Sequence, residues 1–306
     1  MTNTNTNTNT NTNTDAGGGD RLALAVLTQY RMGTTQQLHR VLAPGVRIEQ
    51  TRRRLAKLRA EGLVDRVTLP QAGRLRAWFP TEYGVRVALE WPELRERRAP
   101  RLVSDPVAAR LRAGHTLAVT ETALAFLEDA RRRGETCLPL DWLPEVHHQI
   151  GNGESVIPDA LLYYRSSDAM LRAFVEVDRA TMGPERLAAK LTAYARLHRY
   201  IPGPTLGRRP HINLQSTEEV WRQRYPRFPR VLFVLDGTGP TGIENRVRAL
   251  HALAGDPAVS TFLRHVPALA TPLTDLLEHG PAAPIWRPVQ SPDPDRQVDW
   301  MHSHHP

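Results

Sequence analysis

Three acidic residues stand where they could bind a metal ion. Asp159 opens an apolar segment that reads as a strand, and Glu176 and Asp178 close a second one beyond a polar turn. If Arg165 and Met170 flank that turn, an antiparallel register follows in which Asp159 faces Glu176. Because residues two apart on a strand share one face, the three carboxylates are expected to converge at one end of a sheet.

Such a cluster predicts a cation, because like charges placed opposite each other destabilise a sheet. Carboxylate oxygens suit Mg or Mn, and a divalent ion on two carboxylates is a common means of cutting or rejoining phosphodiesters. An alternative stays open. Phe174, Val175 and Val177 could form an ordinary buried strand whose acids mark its exposed edge.

Lys190 is unusual for this chain, whose 40 basic residues include two lysines and therefore 38 arginines. A compact ammonium can orient a water or lie against a phosphate in ways that a planar guanidinium cannot. The residue therefore becomes a candidate for a role at the same site, although two lysines could also remain by chance. It falls within a helix predicted to begin at Gly183 and Pro184.

The pattern Pro158-Asp159, Glu176-x-Asp178 and a helical Lys190 resembles the PD-(D/E)XK nuclease superfamily. The resemblance implies that Asp159, Glu176 and Lys190 are catalytic and that Asp159, Glu176 and Asp178 hold Mg or Mn. The chain departs from the pattern at Asp178, where the superfamily usually has its lysine, and Lys190 matches members that carry it on the next helix. Glu121, on a preceding predicted helix, resembles a fourth metal ligand or is an exposed glutamate.

With its flanks, the chain resembles the replication-relaxation family known from bacterial plasmids. The resemblance is carried by FVEVDRATMGPERLAAKLTAYARL (174–197) and YRMGTTQQL (30–38), and it extends over roughly Asp20 to Leu269. It implies an α/β fold class: an N-terminal winged helix-turn-helix, then a restriction-endonuclease-like domain with a central mixed sheet. It also implies double-stranded DNA as the partner, together with replication or relaxation proteins.

The N-terminal pattern independently indicates a helix-turn-helix with a wing. Thr34 and Gln37 form a capping box, and a third helix runs from Ile48 to about Ala60 with a basic outer face. A helix of this size and charge can enter a major groove, and two following short strands form the wing. The predicted DNA contacts are Arg47, Arg52, Arg53 and Lys57 on the helix and Arg74 and Arg76 on the wing. A solvated basic helix in a partner-binding winged helix is the alternative.

Composition and patterning predict five segments. The Thr-Asn repeat and glycines in 1–19 predict a disordered tail, to which we assign no function. The expected remainder is a winged helix over 20–90, a linker over 91–106, a nuclease-like domain over 107–280 and a loose, proline-rich tail over 281–306.

Other classes of function are disfavoured. No glycine-rich phosphate loop, Ser-His-Asp set or paired-cysteine zinc motif is present in the sequence, nor a histidine triad beside a tyrosine nucleophile. The formal charge of +8 favours a polyanionic partner, and the single cysteine fits a reducing compartment. Without a signal peptide or an apolar membrane span, we expect a cytoplasmic protein.

Two hypotheses follow. The chain is a DNA-binding protein with a metal-dependent endonuclease or nickase site, or its nuclease fold is an inactive platform for a replication accessory factor or transcription regulator. Asp178, in place of the usual lysine, favours the platform. A regulator that senses a small molecule would explain the winged helix but not the acidic hairpin.

Overall fold

The computed structural model describes residues 19–69, 75–95, 97, 106–167, 169–202, 218–291, 293 and 295–301, with the side chains of 106–109 left out. The chain divides into two compact units, one ending at Thr116 and one beginning at Leu117. The predicted N-terminal tail and much of the predicted linker lie outside the described residues.

The first unit has the element order of a winged helix. Its three strands form an antiparallel sheet in the order β1-β3-β2. The elements are α1 (Gly19–Tyr30), β1 (Gly33–Thr34), α2 (Thr35–Leu42), α3 (Ile48–Ala60), β2 (Val64–Leu69), β3 (Leu75–Pro80) and α4 (Glu82–Leu89).

Local sequence signals explain how the helices of this unit begin and pack. The backbone N–H of Gln37 donates to Thr34 Oγ1 over 3.1 Å, and the N–H of Thr34 donates to Gln37 Oε1 over 3.0 Å, so the predicted capping box is confirmed. On α3, Thr51, Leu55 and Leu58 are buried and form the expected inner face. Opposite them, the basic face of α3 points to solvent.

The second unit is built on a six-stranded mixed sheet with the order β11-β10-β9-β8-β7-β4. Strands β8, β9 and β10 are parallel, and the other pairs in this sheet are antiparallel. The predicted α/β fold class with a central mixed sheet is confirmed.

The long helix α5 (Pro106–Arg133) contains the division between the units. The elements after it are β4 (Trp142–Pro144), β5 (His148–Gln149), β6 (Ser155–Val156), β7 (Ala160–Ser166), β8 (Ala169–Asp178), α6 (Pro184–Arg199), β9 (Arg230–Leu235), α7 (Pro240–Ala254), α8 (Pro257–His265), β10 (Ala268–Pro272), α9 (Leu273–His279) and β11 (Arg287–Pro288). Strands β5 and β6 pair with each other as a separate two-stranded sheet.

The acidic hairpin has the predicted register. Ala160 faces Val175 and Arg165 faces Met170, so Asp159, just before β7, lies at the level of Glu176 on β8. The chain then enters α6 with Gly183 as N-cap and a proline in the first turn, as expected. The buried side of α6 packs on this sheet and brings its neighbouring polar residues to the end of β8.

The prediction of a loose tail from Pro281 is wrong for the described part of that segment. Strand β11 pairs with β10, and Trp286 and Trp300 are fully buried. The Trp300 ring meets Phe126 edge to face at 5.3 Å. Prolines are compatible with this arrangement because β11 is an edge strand. The two indoles bury enough apolar surface to hold the segment in place.

No helix within the described ranges is both long and apolar enough to cross a membrane.

Candidate functional site

The hairpin places two carboxylates side by side at the end of β8. Asp159 Oδ2 accepts a hydrogen bond from the backbone N–H of Val177 over 2.8 Å, which fixes the Asp159 side chain across the hairpin. Glu176 is 1% exposed. The predicted convergence of Asp159 and Glu176 is therefore present in the structure.

Helix α6 adds two polar groups to this pair. Lys190 Nζ donates to Glu176 Oε2 in a short ion pair, and the Tyr194 hydroxyl donates to Glu176 Oε1 over 2.6 Å. Residues four apart on a helix lie on the same face, so both side chains reach one carboxylate. Tyr194 is itself fully buried and stacks on Phe174 at 5.4 Å. Glu176 is thus held in one orientation by two donors.

The surroundings of Glu176 and Lys190 shift the pKa of both side chains. Burial raises the pKa of Glu176 to about 7; the Lys190 ammonium opposes the rise and the Asp159 carboxylate adds to it. Burial lowers the pKa of Lys190, but the carboxylates of Glu176, Asp159 and Asp178 outweigh it and raise that pKa overall. Lys190 therefore stays charged, while Glu176 exchanges its proton near neutral pH. A pKa near the working pH suits a group that must change protonation state.

The raised pKa of Glu176 predicts a dependence of stability on pH. An unfolded glutamate titrates near 4.5 and the folded one near 7, so the folded state binds the extra proton between these values. The contribution of Glu176 to the free energy of unfolding is full below about pH 4.5 and is lost as the pH rises through 7. We expect the stability of wild type relative to Glu176→Gln to fall over this interval. Urea unfolding of both proteins at several pH values measures it, and a difference independent of pH would contradict the shift.

Asp178 is paired with a residue that the sequence did not single out. Arg246, on α7, donates from Nε to Asp178 Oδ2 over 2.6 Å and is 7% exposed. The same guanidinium donates to the carbonyl of Met182 over 2.8 Å. Ala180, between them, has a positive φ of 54°, a strained conformation for a residue with a side chain. Arg246 therefore neutralises Asp178 and fixes the connection from β8 to α6.

The predicted four-acid metal set is not assembled. Within the described residues, no group of three or more His, Cys, Asp or Glu side chains is placed to hold a metal ion. Glu121 is partly buried on α5, and Asp178 is paired with Arg246. The donors that remain, Asp159 and Glu176, still fit Mg or Mn, because Mg is commonly held by one or two carboxylates and keeps several waters.

The basic face of α3 is exposed as predicted. Arg47, Arg52 and Arg53 all point to solvent, with Arg52 in an exposed ion pair to Glu49. Arg76 is exposed on β3. Arg74 lies outside the described residues.

Lys57, also predicted to contact DNA, forms an ion pair within the first unit. Its Nζ donates to Asp20 Oδ2 over 2.8 Å, and Arg54 Nε donates to Asp20 Oδ1 over 2.7 Å. Asp20 is 4% exposed; burial raises its pKa, but the two cations outweigh burial and lower it. Lys57 thus serves to hold α3 against α1, because a buried carboxylate requires a paired charge.

Positive charge is concentrated on the wing strands. Burial lowers the pKa of Arg66, and the nearby positive charges of Arg76 and Arg59 lower it further. The Arg66 guanidinium lies over the Trp78 ring, 5.5 Å from its centroid. Arg66 was not among the residues predicted to contact DNA, although its place on the first of the two predicted wing strands was an available signal.

Comparisons with known proteins place the chain in a family. The Replication-relaxation family model matches residues 24–211, more than half of the chain. No curated protein sequence matches significantly. The structure is similar to that of restriction endonuclease FokI, with 15% identity, a TM-score of 0.29 and coverage of 85% of this chain and 43% of that chain. For FokI bound to DNA the identity is 14%, the TM-score 0.27 and the coverage the same. This chain spans less than half the length of either FokI chain. TM-scores this low do not establish a shared function. The chain belongs to the Replication-relaxation family.

Proposed function

We propose that this protein binds duplex DNA through its winged helix and nicks it, with Mg or Mn, at a site made by Asp159, Glu176 and Lys190. The main support is that Lys190 and Tyr194 both donate hydrogen bonds to Glu176. Glu176 lies beside Asp159, which is fixed by the backbone of Val177. Family membership supports a role connected with DNA. We place that role in plasmid replication or DNA relaxation, alongside proteins of those processes.

Each residue of the site has a distinct task in this proposal. Asp159 and Glu176 would hold the ion, which when bound polarises a phosphate oxygen and lowers the pKa of a coordinated water. Lys190 would orient the attacking water or offset the charge that develops on the phosphate. Tyr194 keeps Glu176 in position through its hydrogen bond. Because Glu176 has a pKa of about 7, its readiness to accept an ion increases as the pH rises through that value.

DNA binding by the first unit rests on the exposed arginines. Arg47 at the N-cap of α3, Arg52 and Arg53 within α3 and Arg76 on β3 present guanidinium groups to solvent. Of the three on α3, Arg53 has no ion pair or hydrogen bond to another described residue, so its five donors can meet phosphates or base edges.

Replacing Arg53 tests this interface. Arg53→Gln should weaken binding to a duplex by about tenfold and reduce the slope of log K against log salt by about 1, since one phosphate or base contact is lost. Fluorescence anisotropy over a salt series gives both quantities. The matched control is Arg86→Gln, which removes one exposed charge from α4 of the same unit. A salt slope equal to that of wild type would show that α3 does not contact the DNA through Arg53.

A second function, an inactive nuclease-fold platform, is favoured by two features. Asp178 stands where the resembled nucleases have a lysine, and both oxygens of Glu176 already accept hydrogen bonds. A platform acting as replication accessory factor or transcription regulator would bind DNA tightly without nicking it. Plasmid nicking assays separate the two functions.

A further inference from the structure

A second basic surface lies on the α/β unit, at the turn end of the β7–β8 hairpin. Tyr163 and Arg172 face each other across the hairpin, with the Arg172 guanidinium 5.4 Å from the Tyr163 ring centroid. Arg165, two residues along β7, shares that face and is exposed. We call Tyr163, Arg165, Arg172 and Arg224 the hairpin patch.

Arg224 joins the patch from the segment before β9. Its Nη1 donates to the carbonyl of His147 over 2.8 Å, while the next residue, Tyr225, is buried. The Tyr225 ring meets Phe174 edge to face at 5.8 Å, and Phe174 shares a face of β8 with Arg172, which places Arg224 beside that face. Burial raises the pKa of the Tyr225 hydroxyl, and the positive charges of Arg224 and Arg172 oppose the rise. Only one of the five Arg224 donors is used by His147, and the contact sets the direction of the others.

The patch arginines differ from several other arginines of this unit. Arg246, Arg179 and Arg287 each pair with a carboxylate. Among the described residues, neither Arg172 nor Arg224 has an acidic partner. Arg165 and Arg172 are diagonal neighbours on the hairpin, about 7 to 8 Å apart in backbone position. Like charges at this spacing are unfavourable unless an anion lies between or above them.

We propose that the hairpin patch binds backbone phosphates of duplex DNA, as a contact separate from the winged helix. Guanidinium forks match phosphate oxygens, and fixed arginines on strands position a duplex without reading its sequence. Arg172 and Glu176 lie four residues apart on β8, about 13 Å along the strand. DNA held at the patch would therefore lie within reach of the carboxylate pair. The inference rests on the proposed function, because it assumes that the chain binds duplex DNA.

The test compares two charge-matched double variants. Arg172→Gln with Arg224→Gln removes two patch charges, and Arg248→Gln with Arg264→Gln removes two exposed charges from α7 and α8. We measure anisotropy of a labelled duplex of arbitrary sequence over a salt series. The patch variant should bind at least about tenfold more weakly, with a salt slope reduced by about 1 for each arginine. The control variant should keep the wild-type slope.

Each outcome decides between the two proposals. If the patch variant binds as wild type does while Arg53→Gln is weakened, the patch is not a DNA contact and the proposed function stands. If wild type binds no duplex, both proposals fail. Should the double variant fail to fold, Arg165→Gln is the substitute, because the exposed Arg165 side chain makes no hydrogen bond or ion pair to another described residue. Arg165→Gln should lower the slope of log K against log salt by about 1. An unchanged slope would contradict the proposal that the hairpin patch binds DNA.

Discussion

Lys190→Gln is expected to lower metal-dependent nicking by at least about 100-fold, the loss typical when a group that stabilises developing charge is removed. The Lys190 ammonium is the charged donor on Glu176, and Tyr194 supplies only a neutral hydroxyl. The affinity of the variant for a divalent ion should increase. Without the ammonium, the Glu176 carboxylate loses the cation paired with it, so ion binding should become tighter.

Nicking of supercoiled plasmid and calorimetric titration with Mn measure these two effects. Arg186→Gln is the matched control, since Arg186 is exposed on the same helix one turn before Lys190. Lys190→Arg should keep a cation on Glu176 but not restore activity, because the larger planar guanidinium does not orient a water or lie against a phosphate as a compact ammonium does. If Lys190→Gln nicks DNA at the wild-type rate, Lys190 has no role in the reaction.

Arg246→Met should destabilise the protein by about 3 kcal/mol, the effect of removing one partner from a buried ion pair. It leaves Asp178 without its cation and the Met182 carbonyl without its donor. The strained connection from β8 to α6 would then be free to shift. We expect nicking to fall even at temperatures where the variant is folded, because α6 carries Lys190.

Urea unfolding measures the loss of stability in Arg246→Met. The control is Arg248→Met, two residues further along α7. Arg248 is exposed, and its pair with Glu244 is long at 3.9 Å, so its loss should change stability by no more than about 0.5 kcal/mol. Adding Asp178→Asn to Arg246→Met should recover part of the loss by removing the uncompensated charge. Equal stabilities of Arg246→Met and Arg248→Met would show that the buried pair does not hold this connection.

Local patterns were sufficient to predict the acidic hairpin. Strand periodicity and the polar turn fix the pairing of Arg165 with Met170, and this register brings Asp159 to Glu176. The capping box at Thr34 is likewise a signal contained within four residues. Lys190 could be identified because the chain otherwise uses arginine. Tyr194 follows from it, since the two are one helical turn apart.

Long-range charge pairing could not be predicted. Arg246 meets Asp178 from 68 positions away, and Lys57 meets Asp20 from 37. Nothing local distinguishes Arg246 from 37 other arginines. Nothing in the sequence indicated that Asp178, predicted as a metal ligand, pairs with Arg246, or that Lys57, predicted as a DNA contact, pairs with Asp20.

The C-terminal segment shows the limit of composition as a guide. Its prolines and polar residues predicted a loose tail, but Trp286 and Trp300 are buried against α5. A few large aromatic side chains can anchor a segment whose average composition is polar.

The most direct test of the account is nicking of supercoiled plasmid DNA with and without Mn, comparing wild type with Asp159→Asn. Asparagine can still accept the hydrogen bond from Val177, so the variant should fold while lacking one anionic ligand. We expect nicking that requires Mn and is lost in Asp159→Asn. Nicking that persists in the variant, or tight DNA binding by wild type with no nicking in Mn, would contradict it.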